Sequence, residues 1–296
     1  MNLQQMEYIT AVDTHRHFVT AAEKCFVTQA TLSMMIKKME EELGVKIFDR
    51  SKQPVEPTEI GVKIIIQARV ILQERKRLTE IVNEELHELT GELKVGIIPT
   101  LSPYLVPLFI NSFLEKYPHI HLKIYELTTA DIVERLVQQS LDIGLLALPL
   151  NNTSLKEDLL FKEDFVLYTS LKEKTLKNKY IVPKDIDTSK LWLLQEGHCL
   201  RSQVINLCEL KNTENKTHQF NFETGSIETL KKLVDMNTGI TVLPKMALRD
   251  MTPEQLKQVK YFQKPAPWRE IGIVTYRFFL KEKLVNALKQ EIQKAI

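Results

Sequence analysis

The hydrophobic pattern of this chain changes period once, at Gly91, and the change limits what the chain can fold into. Before that glycine, apolar residues recur at three- and four-residue spacings, as amphipathic helices require. After it, short apolar runs alternate with helical stretches, the pattern of an α/β sheet. One chain therefore carries two architectures, and its 296 residues suffice for two or three compact units.

In the first part, Leu3, Met6, Tyr8, Ile9, Ala11 and Val12 form one stripe, and residues 19–25 fit a second short helix capped by Thr20. A third helix spans 28–43, with Leu32, Ile36, Met39 and Leu43 on one face, Thr28 as cap and Gly44 as stop. Residues 45–50 read as a strand and 51–56 as a wing. Three helices and a small hairpin predict a winged helix-turn-helix over 1–58. Pro57-Thr58-Glu59 then opens a linker helix over 59–90, with Thr58 as cap. In it Ile64, Ala68, Ile71, Leu78, Val82 and Leu89 trace a heptad seam interrupted by Arg75 and Glu85. A helix of roughly 45 Å cannot bury such a seam alone. Pairing with a second copy is the expectation, and packing on its own domain is the alternative.

Beyond Gly91, strands are expected at 93–98, 122–126, 142–148, 165–169, 192–194, 220–222, 240–243 and 271–276. Helices are expected at 104–117, 131–140, from Leu200, at 227–237 and at 280–296. Alternation of this kind predicts a largely parallel sheet in a regulatory domain over 91–296, made of two Rossmann-like lobes with a cleft between strand ends. Lobe I takes residues 91–161 and 268–296, and lobe II takes 162–267.

No apolar run approaches the roughly 20 residues needed to span a bilayer. The first residues lack the basic and apolar regions of a signal peptide, so a cytoplasmic location is expected and an exported solute-binding protein is not. Net charge is +2, and residues 1–58 hold seven Lys and Arg against eight Asp and Glu. Binding to DNA must therefore come from the placement of charge. The second helix of a helix-turn-helix enters the major groove. Thr28, Gln29, Thr31 and Ser33 can meet base edges there, while Lys37, Lys38, Arg50 and Lys52 can hold phosphates.

The segment from Ala21-Ala22-Glu23-Lys24 through Thr28-Gln29-Ala30-Thr31-Leu32-Ser33 to Leu43-Gly44-Val45-Lys46-Ile47-Phe48-Asp49-Arg50, with Pro57-Thr58-Glu59-Ile60-Gly61, closely resembles the LysR-type transcriptional regulators. Thr28 stands where that family usually has Ser. The resemblance covers the whole chain. It implies a winged helix-turn-helix, a linker helix and a two-lobed regulatory domain like a periplasmic binding protein. It also implies double-stranded promoter DNA and RNA polymerase as partners, a homodimer through the linker helix, and assembly to a homotetramer.

The cysteines are Cys25, Cys199 and Cys208, too few for a structural disulfide framework. Cys25 falls on the buried side of the second helix and reads as core. Cys199, in Gly197-His198-Cys199-Leu200-Arg201, stands at a helix start beside His198 and Arg201, a setting that favours the reactive thiolate. Cys208 shares an apolar face with Leu200, Val204 and Leu207, as a packed small hydrophobe would. Nine helical residues separate the two thiols by about 13 Å, whereas a disulfide needs Cα atoms within about 7 Å. A bond between them would require the helix to unwind. Zinc would need three or four well-spaced ligands, which His198, Cys199 and Cys208 do not supply. His15 and His17 read as surface, and no metal or cofactor is expected.

Around Cys199 the chain resembles the peroxide-sensing OxyR branch of the family. The match includes Pro99-Thr100, Pro103-Tyr104-Leu105, Thr129, Leu243-Pro244 and Arg269, although Ser202 stands where that branch carries an acidic residue. The resemblance implies a peroxidatic Cys199, a resolving Cys208, and a peroxide pocket of Thr100, Thr129, His198, Arg201, His218 and Arg269. It implies no enzyme, and a thiol reductant of glutaredoxin or thioredoxin type would reset the pair. A regulator answering a small organic effector in the cleft is the alternative. A thiol peroxidase would leave the first ninety residues without a purpose.

Overall fold

The computed structural model describes residues 1–85, 89–173, 178–208, 224–236, 239–277 and 281–296. They form two compact units, Met1–Glu88 and Leu89–Ile296. No helix among them is long and apolar enough to cross a membrane.

In the first unit, α1 (Leu3–His15) is closed by a capping box between Asn2 and Gln5 and buries Met6, Tyr8, Ile9 and Val12. Helix α2 (Phe18–Lys24) starts one residue earlier than its sequence predicts. Its cap is His17, whose ring accepts from the Thr20 backbone N–H, and the Thr20 hydroxyl bonds the same ring at 3.1 Å. Helix α3 (Gln29–Leu43) is capped by Thr28 and ends at Gly44, as expected. The strand expected over 45–50 shrinks to β1 (Phe48–Asp49), which pairs antiparallel with β2 (Glu56–Pro57) to make the wing. Buried Glu40 of α3 accepts the Ile47 backbone N–H at 2.8 Å, so the carboxylate takes a donor that a longer strand would have paired.

Helix α4 (Glu59–Glu85) begins at the Thr58 cap, where the hydroxyl accepts the Gly61 N–H at 3.0 Å. Its first half is core: Ile65 and Ala68 are buried, and Ile64, Ile71 and Leu72 pack against the same cluster as α1 and α3. Arg69 donates to Asp13 of α1 at 2.7 Å. The alternative reading, packing on its own domain, thus describes the first half of this helix. Leu78, further along, is 68% exposed.

The second unit opens with β3 (Gly91–Ile97), α5 (Ser102–Lys116), β4 (Ile120–Glu126), α6 (Thr129–Val137) and β5 (Ile143–Leu148). Strands β4, β3 and β5 are parallel neighbours. The chain then leaves through β6 (Leu155–Thr169) and later returns through β10 (Trp268–Tyr276), followed by α10 (Glu282–Ala295). Between them lie β7 (Tyr180–Ile181), α7 (Cys199–Leu207), α8 (Ile227–Met236), β8 (Ile240–Pro244), α9 (Pro253–Leu256) and β9 (Val259–Phe262). Strand β6 pairs antiparallel with β10 up to Asp164, and from Phe165 onward with β8 and β9.

The expectation of a largely parallel sheet is therefore corrected. A chain that crosses between lobes once outward and once back lays its two crossing strands antiparallel, and β10 is also antiparallel to β5. No strand forms over 192–194, where the neighbouring Leu191 makes a single bridge to Ile240, and residues 220–222 lie outside the described residues. Both lobes share one apolar cluster, in which Phe109 and Phe113 of α5 are fully buried, worth about 2–3 kcal/mol each.

Candidate functional sites

On the first unit, Leu32, Ile36, Met39 and Glu40 face the core, which turns the opposite side of α3 to solvent. Gln29 is exposed at its first turn. The Thr28 hydroxyl is occupied by the Thr31 backbone N–H and hydroxyl, so these two residues rigidify the helix start. Arg50 donates to Ser33 Oγ at 2.9 Å and to Glu40 at 3.4 Å, with its guanidinium 4.9 Å from the Phe18 ring. The structure therefore joins two residues that the sequence assigned to separate tasks, and the pair anchors the wing to α3. Lys37 lies 3.7 Å from Glu41, and Lys52 pairs with Glu56. Two apolar residues that the sequence reading missed stand at this surface. Phe26 is 95% exposed at φ 56°, and Met34 is 62% exposed.

On the second unit, α7 starts at Cys199, and Cys208 is its C-cap. Both are half-buried free thiols at opposite ends of one intact helix, as the spacing predicts. Gly197 (φ 89°) makes the turn that aims the helix start, in a left-handed conformation that suits glycine. His198 follows, buried, with its ring against Gly225, where any Cβ would come within 2.7 Å of Nε2. Burial lowers the His198 pKa, and Glu126 opposes that shift. The ring is thus held neutral near pH 7, and the cation expected beside Cys199 is absent at this residue. Arg201 is turned away to brace the loop, donating to the Leu194 carbonyl at 2.9 Å. Burial pushes the Cys208 thiol up to about 11, so it is protonated while the helix is intact. Cys25, the C-cap of α2, packs partly into its own core and is likewise raised, by burial and then by Glu7.

Across the cleft, Thr100 follows β3 and is buried. Its hydroxyl accepts from Arg269 Nη1 at 3.0 Å and its carbonyl from Nη2 at 3.2 Å. Arg269, fully buried on β10, also donates through Nε to Glu163 of β6 at 2.9 Å. The other Glu163 oxygen accepts the Met246 N–H at 2.8 Å. Arg269 is therefore a clamp on Thr100, and Glu163, absent from the sequence reading, is its counter-charge. Thr129 begins α6, and its hydroxyl is buried without a partner among the described residues. The amide oxygen of Gln203 is in the same state, one helical turn after Cys199 and on its face. No sequence signal marked Gln203. A buried hydroxyl and a buried amide oxygen without protein partners each suit a water or small polar ligand better than an apolar one. His218 lies outside the described residues. Among the described residues no group of three or more His, Cys, Asp or Glu is placed to hold a metal.

Residues 3–62 match the model of the bacterial regulatory helix-turn-helix protein, lysR family, and residues 87–296 match the LysR substrate binding domain. This chain belongs to the LysR family. Among LysR-family relatives, it is 36% identical over 278 residues to the DNA-binding transcriptional dual regulator OxyR of Escherichia coli K12, covering 93% of this chain and 89% of the relative. It is 34% identical to the HTH-type transcriptional regulator EstR of Acinetobacter baylyi, over 83% of this chain and 81% of that one. A full-length cysteine-to-aspartate variant of Pseudomonas aeruginosa OxyR superposes with a TM-score of 0.82 at 31% identity, covering 100% of this chain and 99% of that one. A hydrogen-peroxide-bound cysteine-to-serine variant of Corynebacterium glutamicum OxyR gives 0.65 at 26% identity, over 99% and 92% of the two chains. The winged helix-turn-helix and the two-lobed α/β regulatory domain are thus the LysR architecture. As a LysR-family protein the chain is a DNA-binding transcriptional regulator.

Proposed function

We propose that this LysR-family regulator senses hydrogen peroxide through Cys199 and controls promoters that answer oxidative stress. The observation that carries this reading is the placement of Cys199 at the first turn of α7, one turn before Gln203, whose amide oxygen is buried without a partner among the described residues. Backbone N–H groups without intrahelical partners at a helix start can donate to a bound anion. The Cys199 thiolate attacks one peroxide oxygen. The O–O bond breaks, an S–O bond forms, and hydroxide leaves to be protonated to water. The Thr129 hydroxyl and the Gln203 amide hold the peroxide, and Arg269 fixes Thr100 toward it. The resulting sulfenic acid condenses with the Cys208 thiol, releasing water and forming a disulfide.

The condensation needs α7 to unwind, because about 13 Å of helix separates the two residues. Unwinding alters the surface of the regulatory domain, and that change is the signal to the DNA-binding unit. Double-stranded promoter DNA, RNA polymerase, a second copy of the chain paired through α4, a tetramer built from such dimers and a dithiol reductant are the partners in this scheme. Winged-helix residues 1–58, linker residues 59–90 and regulatory residues 91–296 divide the work, with Thr28, Gln29, Thr31 and Ser33 at bases and Lys37, Arg50 and Lys52 at phosphates.

Micromolar peroxide should remove two free thiols per chain, dithiothreitol should restore them, and Cys199→Ser should abolish the loss. A Cys199→Ser protein that still changed its promoter footprint under peroxide would end the thiol mechanism. Loss of no thiols, with a footprint that responds to a small organic molecule, would favour an effector-binding regulator.

A further inference from the structure

We propose that Tyr104, acting through Glu228 and Lys231, is a positioning residue that holds the two halves of the peroxide site in register across the cleft. The proposal rests on the peroxide reading above. Thr100 and Thr129 belong to the lobe of β3, β4 and β5, whereas His198 and Cys199 belong to the lobe of β8 and β9. The reacting groups therefore stand on two bodies joined by the crossing strands β6 and β10.

Arg269 and Glu163 secure the two bodies at those strands. Away from them, the Tyr104 hydroxyl on α5 donates to Glu228 Oε1 on α8 at 2.7 Å. Lys231, itself 3% exposed, donates to both Glu228 oxygens at 2.9 and 3.0 Å. That bidentate grip fixes the half-exposed carboxylate that the tyrosine reaches. Tyr104 is 3% exposed, and its pKa is raised by burial and then by Glu228, so the phenol remains a neutral donor. Burial raises the Glu228 pKa, but Lys231 and Tyr104 outweigh it and keep the group ionised.

The two ends of this bond lie where alignment matters. Tyr104 is in the first turn of the helix that follows Thr100, and its N–H bonds the Leu101 carbonyl. Glu228 is in the first turn of the helix that follows Gly225, the residue on which the His198 ring rests. The Gln195 N–H bonds the Thr224 carbonyl at 2.9 Å, tying that same segment to the loop before Cys199. A shift of α8 relative to α5 is therefore a shift of Cys199 relative to Thr100 and Thr129. Misplacement of reacting groups by about 1 Å can cost on the order of a hundredfold in rate.

A phenylalanine would pack as Tyr104 does and lose only the bond across the lobes. The test uses the full-length reduced protein and its Tyr104→Phe and Glu228→Gln variants. Two second-order rates are measured at Cys199 by quenching and mass spectrometry, one with hydrogen peroxide and one with iodoacetamide. Alkylation reads the thiol itself and needs no group from the other lobe. The proposal expects both variants to react with peroxide at least tenfold more slowly than wild type, with alkylation changed less than twofold. Peroxide rates within twofold of wild type overturn it, and so does a fall in both reactions together, which would mark a merely structural role. Failure of the peroxide reading looks different, because wild-type Cys199 would then show no fast reaction with peroxide at all.

Discussion

Two cysteines on one helix occupy opposite chemical positions. Cys199 sits at the end where backbone N–H groups are free, while Cys208 sits at the other end, where burial lifts its pKa to about 11. Burial penalises the charged form of a thiol, so the shift is upward and the thiolate is scarce at neutral pH. In the proposed role of resolving thiol, Cys208 would stay inert until its helix opened, which would protect the reduced protein from premature reaction. In a Cys25→Ser, Cys199→Ser background, alkylation of Cys208 should accelerate about tenfold per pH unit between pH 8 and pH 10, because a thiol well below its pKa gains thiolate in that proportion. A plateau near pH 9 would show that Cys208 titrates as an ordinary exposed thiol and would sink this account. The charge beside Cys199 also departs from what the residue types suggest. His198 is a neutral buried ring, so Arg201, held by the Leu194 carbonyl, and the helix start remain as the local sources of positive potential.

At the scale of one element, the proposed mechanism makes α7 both a lever and a lock. Leu200 and Val204 are buried while Ser202 and Asn206 face solvent, so helix strength can be changed without touching the core. Replacing Ser202 and Asn206 by Ala should strengthen the helix by about 1 kcal/mol in total. If unwinding limits disulfide formation, sulfenic acid should form at the wild-type rate and the disulfide about fivefold more slowly. The corresponding Gly pair should shift the disulfide step the other way. Equal disulfide rates in the Ala and Gly proteins, followed by dimedone trapping and thiol counting, would show that α7 does not gate the reaction. This helix was legible in the sequence because its apolar face of Leu200, Val204 and Leu207 is a local feature, and α3, with its local caps Thr28 and Gly44, was legible in the same way. Strand β6 was half missed. Its first ten residues, 155–164, carry six Lys, Glu and Asp side chains, and only pairing with β10 makes them a strand. Glu163 was missed with them, since nothing local shows that its carboxylate meets Arg269 a hundred residues later.

For the molecule as a whole, the change of period comes at Gly91, and the two compact units divide between Glu88 and Leu89. It did not disclose how the second unit is built, because an antiparallel crossing of β6 and β10 is a property of the path between lobes. The same limit applies to the seam on α4. Sequence spacing joined Ile64, Ala68, Ile71 and Leu78 into one stripe, but Ala68 is spent within the chain's own core and Leu78 is exposed. An exposed leucine on a charged helix gains stability only if something covers it, and a second copy of the same helix offers a matching surface. Self-association through α4 would couple two DNA-binding units to two half-sites, and coupled binding can exceed either contact by about a hundredfold or more. Leu78→Asp places a charge at that contact while leaving the buried half of α4 untouched. The variant should therefore sediment as a smaller species at micromolar concentration and keep its thermal stability. It should also bind a two-half-site duplex about a hundredfold more weakly, with little change on a single half-site. Unaltered sedimentation together with unaltered duplex affinity would remove Leu78 from the assembly and leave α4 as a core helix of its own unit.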